Sequence, residues 1–162
     1  MTDSQVPAWE RRIRAPQIPP WTLAGAAAVW PRDVMGPAIV MANISGRIEA
    51  HVYTPGSAPA LLTQITDRPQ GTLGATVSPS GDAVLWFDDT AGDEVGRWVR
   101  QPLDGSPPTV LAADLPPGFM AGVAPCSDGG AIIGYLGSSG TTVVRADPDG
   151  AARVIAEFAD PG

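Results

Sequence analysis

One segment occurs three times in this chain, and its spacing limits the possible folds more than any other feature. The copies span residues 46–56, 96–105 and 140–150, so their starts lie 50 and 44 residues apart. Each copy contains a glycine, a run with apolar residues at alternate positions and a turn rich in Pro, Asp and Gly, and a short apolar run follows. Repetition at this spacing is typical of one supersecondary unit used several times, as in propellers and solenoids.

The residues around each copy predict short strands joined by tight turns. The second unit is the clearest, with strands predicted at 72–77, 83–87, 97–103 and 109–111. The continuous apolar run 83–87 is typical of a strand buried on both faces. Gly81 and Gly129 hold equivalent turn positions in the second and third units. The 19 glycines and 18 prolines also favour short strands over long helices.

Four antiparallel strands in each unit are the pattern of a propeller blade. A single blade cannot cover its own apolar faces, so blades stack on their neighbours. We therefore predict an all-β fold, a partial β-propeller of about three four-stranded antiparallel blades. The expected divisions are an extended lead-in over 1–20 and blades over about 21–66, 67–112 and 113–162. The alternative is a β-sandwich whose hairpins are similar by accident.

Charge and composition exclude several classes of partner. A net charge of -7 argues against binding to a nucleic-acid backbone, which needs a clustered basic face. The amino terminus lacks the apolar stretch of a secretory signal, and the longest run of small apolar residues, 23–30, is too short to cross a bilayer. The single cysteine agrees with a reducing compartment. We expect a cytoplasmic protein that binds neither nucleic acid nor membrane.

Several stretches of the sequence resemble known propeller proteins. The turn Ser-Pro-Ser-Gly at 78–81, with Leu-Leu-Thr-Gln-Ile-Thr-Asp at 61–67 before it, resembles the repeats of TolB-type propellers. The longer run 66–105 resembles the amino-terminal propeller of actinobacterial prolyl oligopeptidase family members, of the acylaminoacyl-peptidase and dipeptidyl-aminopeptidase kind. Residues 9–16 are similar to the start of those proteins. The resemblance implies a propeller of seven or eight blades that caps an α/β-hydrolase domain carrying the catalytic Ser, Asp and His.

The residues that this chemistry needs are not assembled in the sequence. A nucleophile elbow requires G-x-S-x-G, and the nearest run, Gly-Ser-Ser-Gly-Thr at 137–141, fails at its last position. His51 is the only histidine and so the only conventional general base. We predict His51 on a strand surface, on the face shared with Glu49 and Tyr53. No catalytic, cofactor-binding or metal-binding residue is predicted, and the catalytic hydrolase domain is expected to be absent.

The loop at 88–94 carries four carboxylates in seven residues, which is the ligand type that hard cations prefer. Because the spacing of an EF-hand is absent, we predict solvated side chains that pair with Arg97 or Arg100. In a full-length relative, this acidic loop would face the hydrolase domain or the substrate channel.

Three further residues have candidate roles. Trp86 and Trp98 are on successive predicted strands, where aromatic side chains fill the gap between stacked sheets. Core packing is therefore predicted, with ligand stacking as the alternative. Cys126 precedes a turn and has no His or Lys nearby in sequence, so a reactive thiolate is not predicted.

Two functions follow as expectations. The first is a non-catalytic propeller portion of a prolyl oligopeptidase-like serine peptidase, which gates or positions peptide substrates for a hydrolase domain of a longer parent protein. The alternative is a stand-alone TolB-like binding module that closes by self-association, since a dimer would supply about six of the four to eight blades that propellers use. A hydrolase in its own right is disfavoured by the missing pentad.

Overall fold

The structure is a computed structural model that describes residues 36–44, 46–54 and 61–159. These residues form eleven β-strands and no helix, so the described part holds no helix long and apolar enough to cross a membrane. The strands are β1 (Ala38–Asn43), β2 (Ile48–Thr54), β3 (Leu61–Gln64), β4 (Ala75–Val77), β5 (Ala83–Asp88), β6 (Val95–Pro102), β7 (Thr109–Val110), β8 (Gly118–Pro125), β9 (Ala131–Gly137), β10 (Gly140–Ala146) and β11 (Ala152–Ala159).

All pairs of strands are antiparallel, and most strands pair with the next strand along the chain; β3 with β4 and β7 with β8 are the exceptions. Hydrogen bonds join them into a three-stranded sheet, β1 to β3, and an eight-stranded sheet, β4 to β11. Because the larger sheet consists of two groups with one short connection, we call β1 to β3 the first sheet, β4 to β7 the second and β8 to β11 the third. A short pairing of β6 with β8, Val95 with Phe119 and Gly96 with Gly118, joins the second and third sheets by hydrogen bonds. The all-β prediction is confirmed, and so are the predicted strand positions that fall in the described residues. The predicted lead-in, 1–20, lies outside them.

Two turns have the same geometry in the second and third sheets. The amide of Gly81 donates to the carbonyl of Ser78 at 2.9 Å, and the amide of Gly129 donates to the carbonyl of Cys126 at 3.1 Å. Both glycines have positive φ, 73° and 86°, which L side chains rarely adopt. The predicted equivalence of these two turns is confirmed.

The glycine that opens each copy of the repeat is needed for more than one reason. Gly46 has φ 95° in the turn before β2, and Gly140 has φ 126° at the start of β10. Gly96 instead lies where a Cβ would overlap the carbonyl oxygen of Asp88 and come within 2.8 Å of the Phe87 ring. One sequence feature therefore meets a conformational requirement at two sites and a steric requirement at the third.

The second sheet is the centre of the packing. Strand β5 is buried on both faces, as its apolar run predicted. Val84 and Trp86 pack with the first sheet in one core, and Leu85 and Phe87 pack with the third sheet in another. Trp98, on β6, belongs to the core with the third sheet. The prediction that both tryptophans are core residues is confirmed, and each faces a different neighbouring sheet.

Candidate functional site

The acidic loop lies against the connection between the first and second sheets, and Arg68 links the two. The Arg68 Nη2 atom is 2.7 Å from a carboxylate oxygen of Asp88 and donates to the Thr90 hydroxyl at 2.8 Å. The Arg68 guanidinium also lies 5.6 Å from the centre of the Trp86 ring, within range of a cation–π interaction. The prediction that this loop pairs with Arg97 or Arg100 was wrong. The fold instead brings Arg68 to the loop from 20 residues before Asp88 in the chain.

The Asp89 side chain holds the backbone of the acidic loop by hydrogen bonds. Its side chain is buried, and its carboxylate accepts hydrogen bonds from the amides of Gly92 at 2.7 Å, Asp93 at 3.2 Å and Glu94 at 2.7 Å. Glu94 has φ 64°, a conformation that these bonds hold in place. The prediction of solvated loop carboxylates was wrong for Asp89, because the loop folds back over that side chain. In the described ranges no three His, Cys, Asp or Glu side chains are grouped to hold a metal ion.

An open groove of about 500 Å³ runs beside this loop on the second sheet. Asp88 and Asp93 are acidic lining residues, and Val99 and Val110 are apolar lining residues. Arg97 also lines the groove and donates from Nη2 to the carbonyl of Leu115 at 2.9 Å. A groove of this size is in the range of small-molecule and peptide sites, with apolar walls and a few charged groups. We take it as the candidate binding site because it adjoins the acidic loop; a second groove, of about 560 Å³, is lined by residues that include Asp82, Arg100 and Asp104.

His51 lies on the predicted strand, β2, but not on its surface. The side chain is only 3 % exposed, and the N–H at Nδ1 bonds to the carbonyl of Glu49 at 2.9 Å. The surface prediction was wrong because both faces of β2 are covered, with Ala50 and Val52 buried on the opposite face. A general base needs a ring nitrogen directed at a nucleophile, and the geometry of His51 instead ties the ring to its own strand.

Glu49 shares the face of His51, as predicted, but its burial and its hydrogen bonds were not predicted from the sequence. Its carboxylate is completely buried and accepts hydrogen bonds from the Thr66 hydroxyl at 2.5 Å, the Thr72 hydroxyl at 2.9 Å and the Arg68 amide at 2.8 Å. Burial raises the pKa of Glu49, but these hydrogen bonds and the nearby Arg47 guanidinium together lower it below its ordinary value. The carboxylate therefore fastens the connection 65–74 to the first sheet.

The sequence signal for this network is slight. An acidic residue between the apolar positions of a strand, followed by two threonines in a connection, is common on protein surfaces. Only the return of the connection across β2 places the Thr66 and Thr72 hydroxyls on Glu49, and the amide of Thr72 confirms that path by bonding to the carbonyl of Ile48 at 2.8 Å.

An arginine–aspartate pair recurs at the opposite end of the sheets. Arg100 is 3.1 Å from Asp82, and Arg145 is 2.5 Å from Asp128. In both pairs the aspartate lies in the turn that precedes the sheet's second strand. His51 occupies the position that matches these arginines, five residues before the closing glycine of its copy. An alignment of the three copies on their closing glycines could have shown from the sequence that Arg100 and Arg145 are equivalent.

The remaining sequence candidates lie apart from the groove. Ser138 and Ser139 form a two-residue hairpin turn between β9 and β10, so this run does not make the strand-to-helix turn of a nucleophile elbow. Cys126 is a free, half-buried thiol just after β8. The structure does not bring these residues to His51, which lies on the first sheet.

Comparison of the chain with protein-family models, with curated proteins and with solved structures finds no match. The described residues form an all-β arrangement of antiparallel sheets packed in chain order, with a charged groove on the second sheet. The resemblance to peptidase propellers rests on the sequence motifs.

Proposed function

We propose that this chain is the non-catalytic propeller portion of a prolyl oligopeptidase-like serine peptidase, in which it gates or positions peptide substrates for a hydrolase domain. The observation that carries the proposal is the order of packing. Consecutive antiparallel sheets pack on each other in chain order, and both faces of the middle sheet are buried between its neighbours. Blades that cannot cover their own apolar faces pack in this way.

The non-catalytic assignment is supported by the two features that catalysis would use. The chain's single histidine, His51, is buried and bonded to its own strand. The nearest match to an elbow, around Ser139, is a hairpin turn. Acyl transfer by a serine requires the hydroxyl and the imidazole within hydrogen-bond reach of one another.

The groove beside the acidic loop supports the positioning role. Asp88 and Asp93 contribute carboxylates to its lining, and Val99 and Val110 are apolar lining residues. This combination suits a peptide that presents a cationic amino group together with apolar side chains. The acidic loop would then face the substrate channel of the complete enzyme.

Active-site labelling and peptide hydrolysis test this proposal. The chain alone should neither react with a fluorophosphonate probe nor hydrolyse peptide nitroanilides, and a labelled serine would contradict the non-catalytic assignment. In a longer protein that carries this chain with a hydrolase domain, the double variant Asp93→Ala, Glu94→Ala should slow the turnover of peptides with a free amino group. Asp104→Ala, an exposed carboxylate at the other end of the sheet, is the matched control. Unchanged turnover in the double variant would contradict the proposal that the acidic loop faces the substrate channel.

A second candidate is a stand-alone binding module that self-associates. It is favoured by a specific observation: the third sheet exposes large apolar side chains on β8, β9 and β11. Sedimentation velocity separates the two candidates, since a discrete dimer of the isolated chain supports the module.

A further inference from the structure

The groove beside the acidic loop contains charged side chains of both signs, and not all of them are paired. Asp88 is neutralised by Arg68, whose Nη2 atom lies 2.7 Å from the Asp88 carboxylate. Asp93 and Arg97 also line the groove, and within the described residues neither of them forms an ion pair. The groove therefore presents one carboxylate and one guanidinium whose charges the described chain does not balance.

The strand register explains why Arg97 has no carboxylate partner. Arg97 is directly opposite Asp88, the position from which ion pairs across two strands are made. Arg68 instead reaches Asp88 from the connection 65–74. Arg97 donates from Nη2 to the carbonyl of Leu115 at 2.9 Å, and its buried Nε has no acceptor in the part of the chain that the structure describes. A guanidinium has five N–H donors, so this one is held in place with donors left for a carboxylate.

Apolar side chains flank Arg97 on the floor of the groove. Val95 and Val99 lie two residues before and two residues after it on β6, so the three side chains share one side of the sheet. Val110 is directly opposite Val99 on β7 and extends this strip. An aliphatic side chain can therefore lie along the strip while a charged end of the same ligand reaches the guanidinium.

Asp93 is fixed in the wall of the groove by two hydrogen bonds. Its amide donates to the buried carboxylate of Asp89 at 3.2 Å, and its own Oδ1 accepts from the amide of Val95 at 3.1 Å. Among the described contacts, these bonds leave Oδ2 to accept from a ligand. Asp93 and Arg97 are thus both positioned before a ligand arrives, which lowers the entropy cost of binding.

Size and charge together limit the ligand. The groove holds about 500 Å³, which is in the range of sites for small molecules. Asp93 is bonded to the amide of Val95, and Arg97 follows two residues later, about 6.6 Å along the strand. A peptide of two or three residues spans a comparable distance, since each residue adds at most about 3.6 Å. The second groove differs, because its Arg100 is already paired with Asp82 at 3.1 Å.

We propose that this groove binds a short peptide by both of its charged ends, with the carboxyl terminus at Arg97 and the amino terminus at Asp93. This inference rests on the peptide-positioning role proposed above and adds a requirement to it. A free carboxyl terminus is needed as well as a free amino group, so the preferred ligands are peptides of two or three residues with an aliphatic side chain.

Amide NMR titration of the isolated chain tests the inference. The probe is the tripeptide Ala-Val-Ala with both ends free, compared with its N-acetylated and its C-amidated forms. The free tripeptide should bind with a dissociation constant below about 1 mM. The amide signal of Val95, whose acceptor is Asp93, should shift. Amidation should weaken binding about tenfold and acetylation about threefold, because Arg97 is half-buried and Asp93 is exposed.

Variants assign each end of the ligand to its residue. Arg97→Gln should lose the preference for a free carboxyl terminus and keep the preference for a free amino terminus, and Asp93→Asn should do the reverse. Arg153→Gln and Asp149→Asn are the matched controls and should bind like the unaltered chain. Arg153 is an exposed arginine on β11. Asp149 accepts from the amide of the second residue after it at 3.1 Å, as Asp93 does.

Three results would overturn the inference. One is a free tripeptide that fails to bind at concentrations up to about 10 mM. Another is an amidated tripeptide that binds as tightly as the free one. The third is a folded Arg97→Gln variant that still prefers a free carboxyl terminus. Circular dichroism verifies folding, and if Arg97→Gln unfolds, Arg97→Lys replaces it, since lysine keeps the charge without the planar fork and should reduce the preference.

The turnover experiment described under the proposed function gives a separate result. If the acidic loop is required for turnover but the isolated chain shows no preference for a free carboxyl terminus, this inference alone fails. If the chain binds the tripeptide by both ends but the Asp93→Ala, Glu94→Ala variant of the longer protein turns over peptides unchanged, the channel role alone fails.

Discussion

The two interfaces between neighbouring sheets are built from different chemistry. The core between the first and second sheets lies beside a buried carboxylate, Glu49, which holds the connection 65–74 by hydrogen bonds. The core between the second and third sheets contains Phe87 and Trp98 in an edge-to-face contact, with ring centres 5.6 Å apart at 67°. The hydroxyl of Tyr135 accepts a hydrogen bond from the amide of Trp98 at 3.5 Å across the same interface.

One sheet can thus be held against another by hydrogen bonds to a buried charge or by packing of aromatic side chains. A buried charge is stabilising only while every hydrogen bond to it is made, so the first interface depends on a protonation state. An aromatic core depends on volume and shape, because interiors are close-packed and tolerate cavities poorly. The first interface should therefore respond to acid, and the second to truncation of side chains and to alkali.

The largest expected effect comes from breaking the aromatic interface. Phe87 is completely buried, and Phe87→Ala should lower the free energy of unfolding by about 3–5 kcal/mol through lost burial and a cavity. Urea unfolding followed by tryptophan fluorescence measures the change. Leu73→Ala removes an exposed side chain and is the control, with a change within about 0.5 kcal/mol. A loss below about 1 kcal/mol for Phe87→Ala would show that the core refills.

An intermediate effect comes from neutralising the buried carboxylate. Glu49→Gln keeps the shape but weakens the bonds from Thr66, Thr72 and Arg68, which should cost about 2–3 kcal/mol near pH 7. Because the folded state lowers the pKa of Glu49, its contribution is present above the ordinary value of 4.5 and is lost as pH falls through the folded value. The gap in free energy of unfolding between the unaltered chain and Glu49→Gln should therefore close as the pH falls.

Urea unfolding at a series of pH values between neutral and strongly acidic measures this gap. Asp82 and Asp128 also have lowered pKa values, Asp82 through the hydroxyls of Ser78 and Ser80 and Asp128 through the amide of Gly130. Some acid sensitivity therefore remains in the variant. A gap that stays constant with pH would mean that Glu49 stabilises the fold by shape and not by charge.

The smallest expected effect is at Tyr135. Tyr135→Phe removes the acceptor for the Trp98 amide and should cost about 1 kcal/mol. Burial raises the pKa of Tyr135 above its ordinary value of 10.0, so the unfolded chain ionises first and stability falls as pH rises above that value. Tyr135→Phe should lose part of this fall in stability at alkaline pH. The effect is readily measured because the chain has no lysine, whose side chain would titrate in the same range. Tyr53→Phe on the first sheet is the control, and an equal effect there would contradict the assignment.

Local features of the fold were predictable because they depend on neighbouring residues. Alternating apolar residues gave the strands, and the glycines at 81 and 129 gave matching turns. The burial of β5 followed from its continuous apolar run. His51, Asp89 and Arg68 were not predictable, since the burial of the first two and the partner of the third depend on segments that return from elsewhere in the chain.

The sequence by itself determined that this protein is built from a repeated antiparallel unit, because period-two hydrophobicity and glycine turns are local properties of the backbone. Only the tertiary structure decided which faces of those units are covered. It buries both sides of the middle sheet, closes the outer side of the first sheet around Glu49 and His51, and leaves Phe119, Leu136 and Phe158 exposed on the third. The reason is physical: alternation separates the two sides of a strand, but whether a side is covered depends on contacts between residues far apart in the chain.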